Sequence, residues 1–170
     1  MNIETERLIL IPVSEKYVEE IYKYFNEKVT KYMIPSTAKD IDETRNVVHM
    51  FIEQRKNKTD YVYAITLKSN GEFIGLVGLH NLKNEVPKLG IWTKLESHGN
   101  HYGREAVGGL IDYARALEIK KMYYPVDRRN ISSKKIPLFY GGKLIVDYKE
   151  VKTPDGRILE DEVYEIEIQT

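Results

Sequence analysis

The chain has 170 residues, 42% of them hydrophobic and 31% charged, which suits one globular domain with a single sizeable core. Its 26 basic and 26 acidic side chains cancel to a formal net charge of zero, so no general attraction to nucleic acid or an anionic membrane is expected. There is no cysteine, which excludes disulfides, thiolate metal sites and a cysteine nucleophile.

The opening MNIETERLIL lacks the basic segment and long apolar run of a signal peptide, and no stretch approaches the ~20 apolar residues of a membrane span. A cytoplasmic protein without membrane contact is the expectation. TERLILIPV (residues 5–13) is aliphatic and reads as a strand, after which Ser14 is placed to cap a helix with apolar positions Tyr17, Val18, Ile21, Tyr24 and Phe25. Asp40, with Glu43 three residues on, predicts the start of a second helix whose buried stripe is Val47, Val48, Phe51 and Ile52.

The middle is rich in strand signals. DYVYAITL (60–67) and FIGLVGLHNL (73–82) flank the turn Ser69-Asn70-Gly71-Glu72, and KLGIWTK (88–94) is a third strand. A helix is predicted from about Gly103 to Leu117, with Ala106, Val107, Leu110, Ile111, Ala114 and Leu117 on one face. KMYYPV (121–126) reads as a strand. A short helix from about Ser132 to Tyr140 stops at Gly141-Gly142, and two strands, 143–151 and 157–169, flank Thr153-Pro154-Asp155-Gly156. The order β-α-α-β-β-β-α-β-α-β-β predicts one α/β domain over 1–170: a mixed, mostly antiparallel twisted sheet of about seven strands with helices on both faces.

Ligands in such folds sit where strands part and a helix begins, which points just past Trp92 and Thr93. There the chain reads ESHGNHYGREAV (96–107). Free N–H groups at a helix N-terminus favour an anion, Gly99 and Gly103 clear space for it, and Arg104 can add a charge-assisted bond. The same pattern also precedes many helices that bind nothing. His98 and His101, with His80 or His49, form no metal signature, because H-x-x-H in an irregular loop is nonspecific and no acidic ligand lies at a telling offset; no metal is expected. A dinucleotide-binding fingerprint is also excluded, since the third glycine is missing and no βαβ unit opens the chain.

KLGIWTKLESHGNHYGREAVGGLIDYA resembles the core of GNAT-superfamily N-acetyltransferases, especially the RimJ/RimL-type branch. Gly90-Ile91-Trp92 stands at that branch's G-Y-W, and Gly99 to Val107 at its G-K-G-Y-A-T-E-A-V. VDRRNISSKKIPLFYGG resembles its second block, with Asn130, Ser133 and Gly141 in the matching places. The opening ETERLILIP and the closing Asp155-Gly156-Arg157 hairpin fit as well.

The resemblance implies acetyl-CoA as co-substrate, lying between two splayed strands, 88–94 and 121–126. Its pyrophosphate would rest on the amides of Gly99, Asn100, His101, Tyr102, Gly103 and Arg104, and its pantetheine arm would run near Trp92, Thr93 and Asn130. Ser133 resembles the residue that protonates the departing thiolate, while Glu85 or His80 would serve as base for a primary amine, either a protein N-terminus or a small amine. Homodimers are common among the relatives. Three positions depart from the pattern: His101 stands at a loop glycine, Pro137 at a tyrosine acid, and Lys88 at a glutamate. These departures motivate a second reading, a non-catalytic acyl-CoA-binding or protein-interaction module on the same scaffold.

Overall fold

Strands form where β-branched and aromatic residues alternate, and the computed structural model, which describes residues 1–169, has eight of them: β1 (Ile3–Glu4), β2 (Leu8–Pro12), β3 (Tyr61–Leu67), β4 (Phe73–His80), β5 (Lys88–Thr93), β6 (Lys121–Asp127), β7 (Lys143–Lys152) and β8 (Ile158–Glu167). The helices are α1 (Val18–Tyr24), α2 (Glu27–Thr30), α3 (Ile41–Lys56), α4 (Tyr102–Ala116) and α5 (Ile131–Phe139). One sheet holds all strands in the order β1-β2-β3-β4-β5-β6-β8-β7. Among the described residues no helix is long and apolar enough to cross a membrane.

Every neighbouring pair is antiparallel except β5 and β6. Those two run parallel and share one registered pair, Lys88 with Tyr123. Beyond it they diverge, so the backbone edges of Leu89–Thr93 and Tyr124–Asp127 face a gap in the middle of the sheet.

The period-2 alternation of the strands feeds two cores. On one face Tyr63, Ile65, Val77, Leu79, Leu89 and Tyr124 pack against Val107, Leu110 and Ala114 of α4. On the other, Val62, Ala64, Phe73, Leu76 and Trp92 meet Val18 and Ile21 of α1 and Val48 of α3. A fully buried leucine such as Leu110 contributes about 2 kcal/mol of transfer free energy, so these faces hold the layers together.

Two local expectations change. The strand predicted over 5–13 starts only at Leu8 as β2, and the residues before the Thr5–Arg7 turn fold back as an unpredicted β1 with Ile3 opposite Leu10. Glu105 of α4 causes the break by taking hydrogen bonds from the Thr5 hydroxyl, the Arg7 N–H and the Arg7 guanidinium, the last two at 2.8 and 2.7 Å. Ser14 does adopt the extended cap conformation, but its hydroxyl makes no capping bond and a short 3-10 turn, Glu15–Tyr17, comes before α1. Asp40 caps α3 as expected, accepting from the Glu43 N–H at 2.9 Å.

Candidate active site

The gap between β5 and β6 opens into a cavity of about 610 Å³ that reaches from α5 to α3. Phe25, Met33, Val47, Phe51 and Trp92 make its walls apolar. His80, Lys88, Tyr124, Asn130, Ser133 and Asp161 bring polar groups to it. An apolar cleft with a few convergent polar groups is the usual form of a small-molecule site.

His80 ends β4, and the β3–β4 register of Tyr61 with Leu79 brings Asp60 beside it. His80 Nδ1 lies 2.8 Å from Asp60 Oδ2, and Asp60 is buried. A carboxylate at Nδ1 holds the neutral ring's hydrogen there, which leaves the lone pair on Nε2. Gly78 and Gly90 are the floor beneath this ring. A Cβ on Gly78 would stand 3.0 Å from His80 Nε2, and one on Gly90 would stand 3.3 Å from it. The imidazole therefore occupies space that side chains on adjacent strands normally fill, and its Nε2 lies over Gly90, at the gap.

On the α5 side, Asn130 caps the helix by accepting from the Ser133 N–H at 3.3 Å. This turns the Ser133 hydroxyl toward β6, where it shares a 2.7 Å hydrogen bond with Tyr124. Burial pushes the Tyr124 phenol well above its ordinary pKa, more than the Ser133 contact lowers it, so the phenol stays protonated. Pro137 lies inside α5 without ending it. Its missing N–H is the one that would have met the Ser133 carbonyl.

The loop before α4 has two left-handed residues, Gly99 (φ +90) and His101 (φ +60). His101 is thus a non-glycine at a position where glycine is unstrained, and it is exposed at the N-cap of α4 without a side-chain cap. The first intrahelical bond is Glu105 N–H to His101 O, so the N–H groups of Tyr102, Gly103 and Arg104 point out of the helix end. Arg7 steadies the loop by donating to the Asn100 carbonyl at 2.9 Å and stacking over Tyr102 at 4.7 Å. Burial pushes the Glu105 carboxyl up, but the bonds from Thr5 and Arg7 outweigh it and hold the carboxyl below its ordinary value. Arg104 stacks on Phe139 at 4.2 Å, and its carbonyl accepts the Tyr140 hydroxyl at 2.5 Å.

His80, Trp92, Asn130 and Ser133 thus meet in one cavity, with Gly99–Arg104 at the helix end beside it. Trp92 lines the cavity with its ring packed on Phe25 at 4.9 Å, and Thr93 ends β5, its carbonyl accepting from His98 Nε2 at 2.9 Å. Glu85 is exposed in the turn between β4 and β5 and does not line the cavity. Among the described residues no three His, Asp or Glu side chains cluster as a metal site would need.

Sequence reasoning missed four residues. Asp60 and Tyr124 gain meaning only through strand register and the position of α5. Asp161 sits in a strand with no motif. Arg157, at the β7–β8 hairpin, reaches across to the carbonyls of Thr30 (2.8 Å), Lys31 (3.2 Å), Ile34 (3.3 Å) and Pro35 (3.3 Å), and so fixes the segment that roofs the cavity.

Known proteins resemble this chain in sequence and in fold. The N-acetyltransferase p20 of Bacillus licheniformis, described as uncharacterised, is 27% identical over 168 residues, covering 94% of this chain and 92% of its own. A GNAT-family acetyltransferase from Bacillus anthracis superposes with a TM-score of 0.86 at 18% identity over all of both chains. RimL, a ribosomal L7/L12 alpha-N-protein acetyltransferase solved with coenzyme A, superposes at 0.83 with 17% identity, covering 99% of this chain and 98% of its own. Residues 7–143 match the model of the acetyltransferase (GNAT) domain, and because that span is well over half the sequence, the chain belongs to the GNAT acetyltransferase family.

Proposed function

We propose that this GNAT-family N-acetyltransferase moves the acetyl group of acetyl-CoA to a primary amine held in the β5–β6 cavity, with His80 as base and Ser133 as acid. The observation that carries the reading is the Asp60–His80 pair, whose free nitrogen lies over the glycine floor at the opening of the sheet.

The residues present suit the co-substrate. Outward N–H groups of Tyr102, Gly103 and Arg104, at the positive end of the α4 dipole, fit a pyrophosphate. The unpaired edge of β5 near Trp92 and Thr93, facing Asn130, fits an amide-bearing arm. Acetyl-CoA supplies a thioester carbonyl that an amine can attack, exchanging the C–S bond for a C–N bond.

The protein's part is proton movement and orientation. His80 Nε2 accepts the proton from the amine nitrogen, and Asp60 steadies the ring cation that results. Either hydroxyl of the Tyr124–Ser133 pair can donate, and with the protonated Tyr124 phenol as donor the serine hydrogen is free for the sulfur. The apolar walls exclude water that would otherwise hydrolyse the thioester.

Thiol release from acetyl-CoA, measured across a panel of N-terminal peptides and small amines, tests this. Release that depends on an amine is expected. Tight acetyl-CoA binding with no amine-dependent release would instead support the non-catalytic binding module, and absence of both would overturn each CoA-based reading.

A further inference from the structure

Among the described residues that line the cavity, Lys88 and Asp161 are charged side chains with no hydrogen-bond or ion-pair partner, and of the two only Asp161 is buried. Asp161 lies on β8 in register with Asp127 of β6, lines the cavity, and is 9% exposed. Among the described residues no N–H, O–H or basic group pairs with its carboxylate; Lys149 and Lys88 act on it only at longer range. The nearest arginine is committed elsewhere. Arg129 binds Asp127 through Nε at 2.9 Å and Nη2 at 2.8 Å, and Asp127 also takes the N–H groups of Arg129 and Glu160. Lys134 is held by Glu162, one residue along β8 and so on the opposite face, at 3.0 Å.

Asp127 is therefore satisfied and Asp161 is not. A carboxylate buried without a partner is costly, and natural cores rarely keep one. Burial, with the charge of Asp127 behind it, raises its pKa above the ordinary value, while Lys149 and Lys88 only moderate this. The sheet alternation that puts Trp92, Gly90 and His80 on the α1–α3 face puts Asp161 there too, across the gap from His80. A cation entering the cavity between apolar walls would meet this one unpaired anion.

We propose that Asp161 is the residue that anchors the acceptor: its carboxylate receives the ammonium group of the incoming substrate across the gap from His80, so the acceptor is a primary ammonium on an apolar stem. This deepens the acetyl-transfer reading and rests on it only for what happens to the amine after binding. A peptide N-terminus and an alkyl amine both present that chemistry, and the experiment separates them.

Titration calorimetry of CoA-saturated protein with hexylamine and with a short peptide amide bearing a free N-terminus, each beside its N-acetylated form, tests the assignment. At least one free amine is expected to bind wild type, its acetylated form not to bind, and Asp161→Asn to weaken the amine by about tenfold or more with the acetyl-CoA Kd unchanged. Asp161→Glu, which keeps the charge, is expected to retain part of the affinity. The probe that binds identifies the source. Unchanged amine affinity in Asp161→Asn, or a wild type that binds CoA but neither amine, would overturn the proposal. Asp161-dependent amine binding without acetyl transfer would uphold it and remove the transfer reading instead.

Discussion

At the scale of single residues, the site depends on which polar groups are satisfied. His80 was named from the sequence, beside Glu85, as a candidate base within a strand predicted over 73–82. Asp60 was not, because only the β3–β4 register brings residues 20 apart in sequence within 2.8 Å. Tyr124 was hidden in the same way, since its role depends on where α5 lands. Asp161 carries a stability consequence of its own. Its folded pKa is raised above the ordinary 3.8, so the native state pays a penalty for the charged form that is full above the folded pKa and absent below 3.8. Asp161→Asn is therefore expected to raise Tm at pH 7, with a gain that shrinks as pH falls towards about 4. Thermal melts of both proteins across that range measure it, and a constant difference would show that the charge is not responsible.

At the scale of elements, periodicity located nearly every strand and helix, and apart from the start of β2 most boundaries moved by one or two residues, as with α4 at Tyr102–Ala116 instead of Gly103–Leu117. What periodicity missed was set by distant contacts. β1 separates from β2 because Glu105 pins the Thr5–Arg7 turn, and α2, only four residues long, carries too little pattern to register. The glycine at position 108 of α4 also becomes intelligible, since the Tyr140 hydroxyl approaches to 2.5 Å of where its Cβ would be. His101 keeps its left-handed conformation at a cost of about 1 kcal/mol, which the loop bears because Arg7 and the helix end hold it on both sides.

The β7–β8 hairpin has a defined task at this scale. Through Arg157 it ties the roof segment 30–35 to the sheet, while Asp155 orients the guanidinium at 2.9 Å. Arg157→Ala leaves four carbonyls without their shared donor, and is expected to raise the KM for the amine several-fold while the KM for acetyl-CoA stays constant. Steady-state kinetics with each substrate varied in turn measure the split. An equal rise in both would place the effect on global stability instead.

At the scale of the whole molecule, one departure from regular sheet geometry organises everything else. A single registered pair joins β5 to β6, and beyond it lies the opening, with the proposed anion-binding end of α4 on one face and an apolar pocket with an unpaired carboxylate on the other. The alternation of strands and helices made the fold class legible, and the motifs around Trp92 and Asn130 supplied the candidate co-substrate residues. The pocket side was not, because its lining comes from α1, the roof segment, α3 and β8, which meet only in the folded chain. Asp60 directly precedes β3, Lys88 opens β5 and Asp161 lies on β8, and no spacing along the sequence relates them.

The central claim is that His80 removes the proton of an amine delivered into this opening. Turnover of His80→Gln against wild type, at saturating acetyl-CoA and from neutral to alkaline pH, tests it most directly. The account predicts a fall of about 10²- to 10⁴-fold at neutral pH. The deficit should narrow as the pH approaches the amine's own pKa, and the acetyl-CoA Kd should not change. Equal turnover of variant and wild type at neutral pH would contradict it.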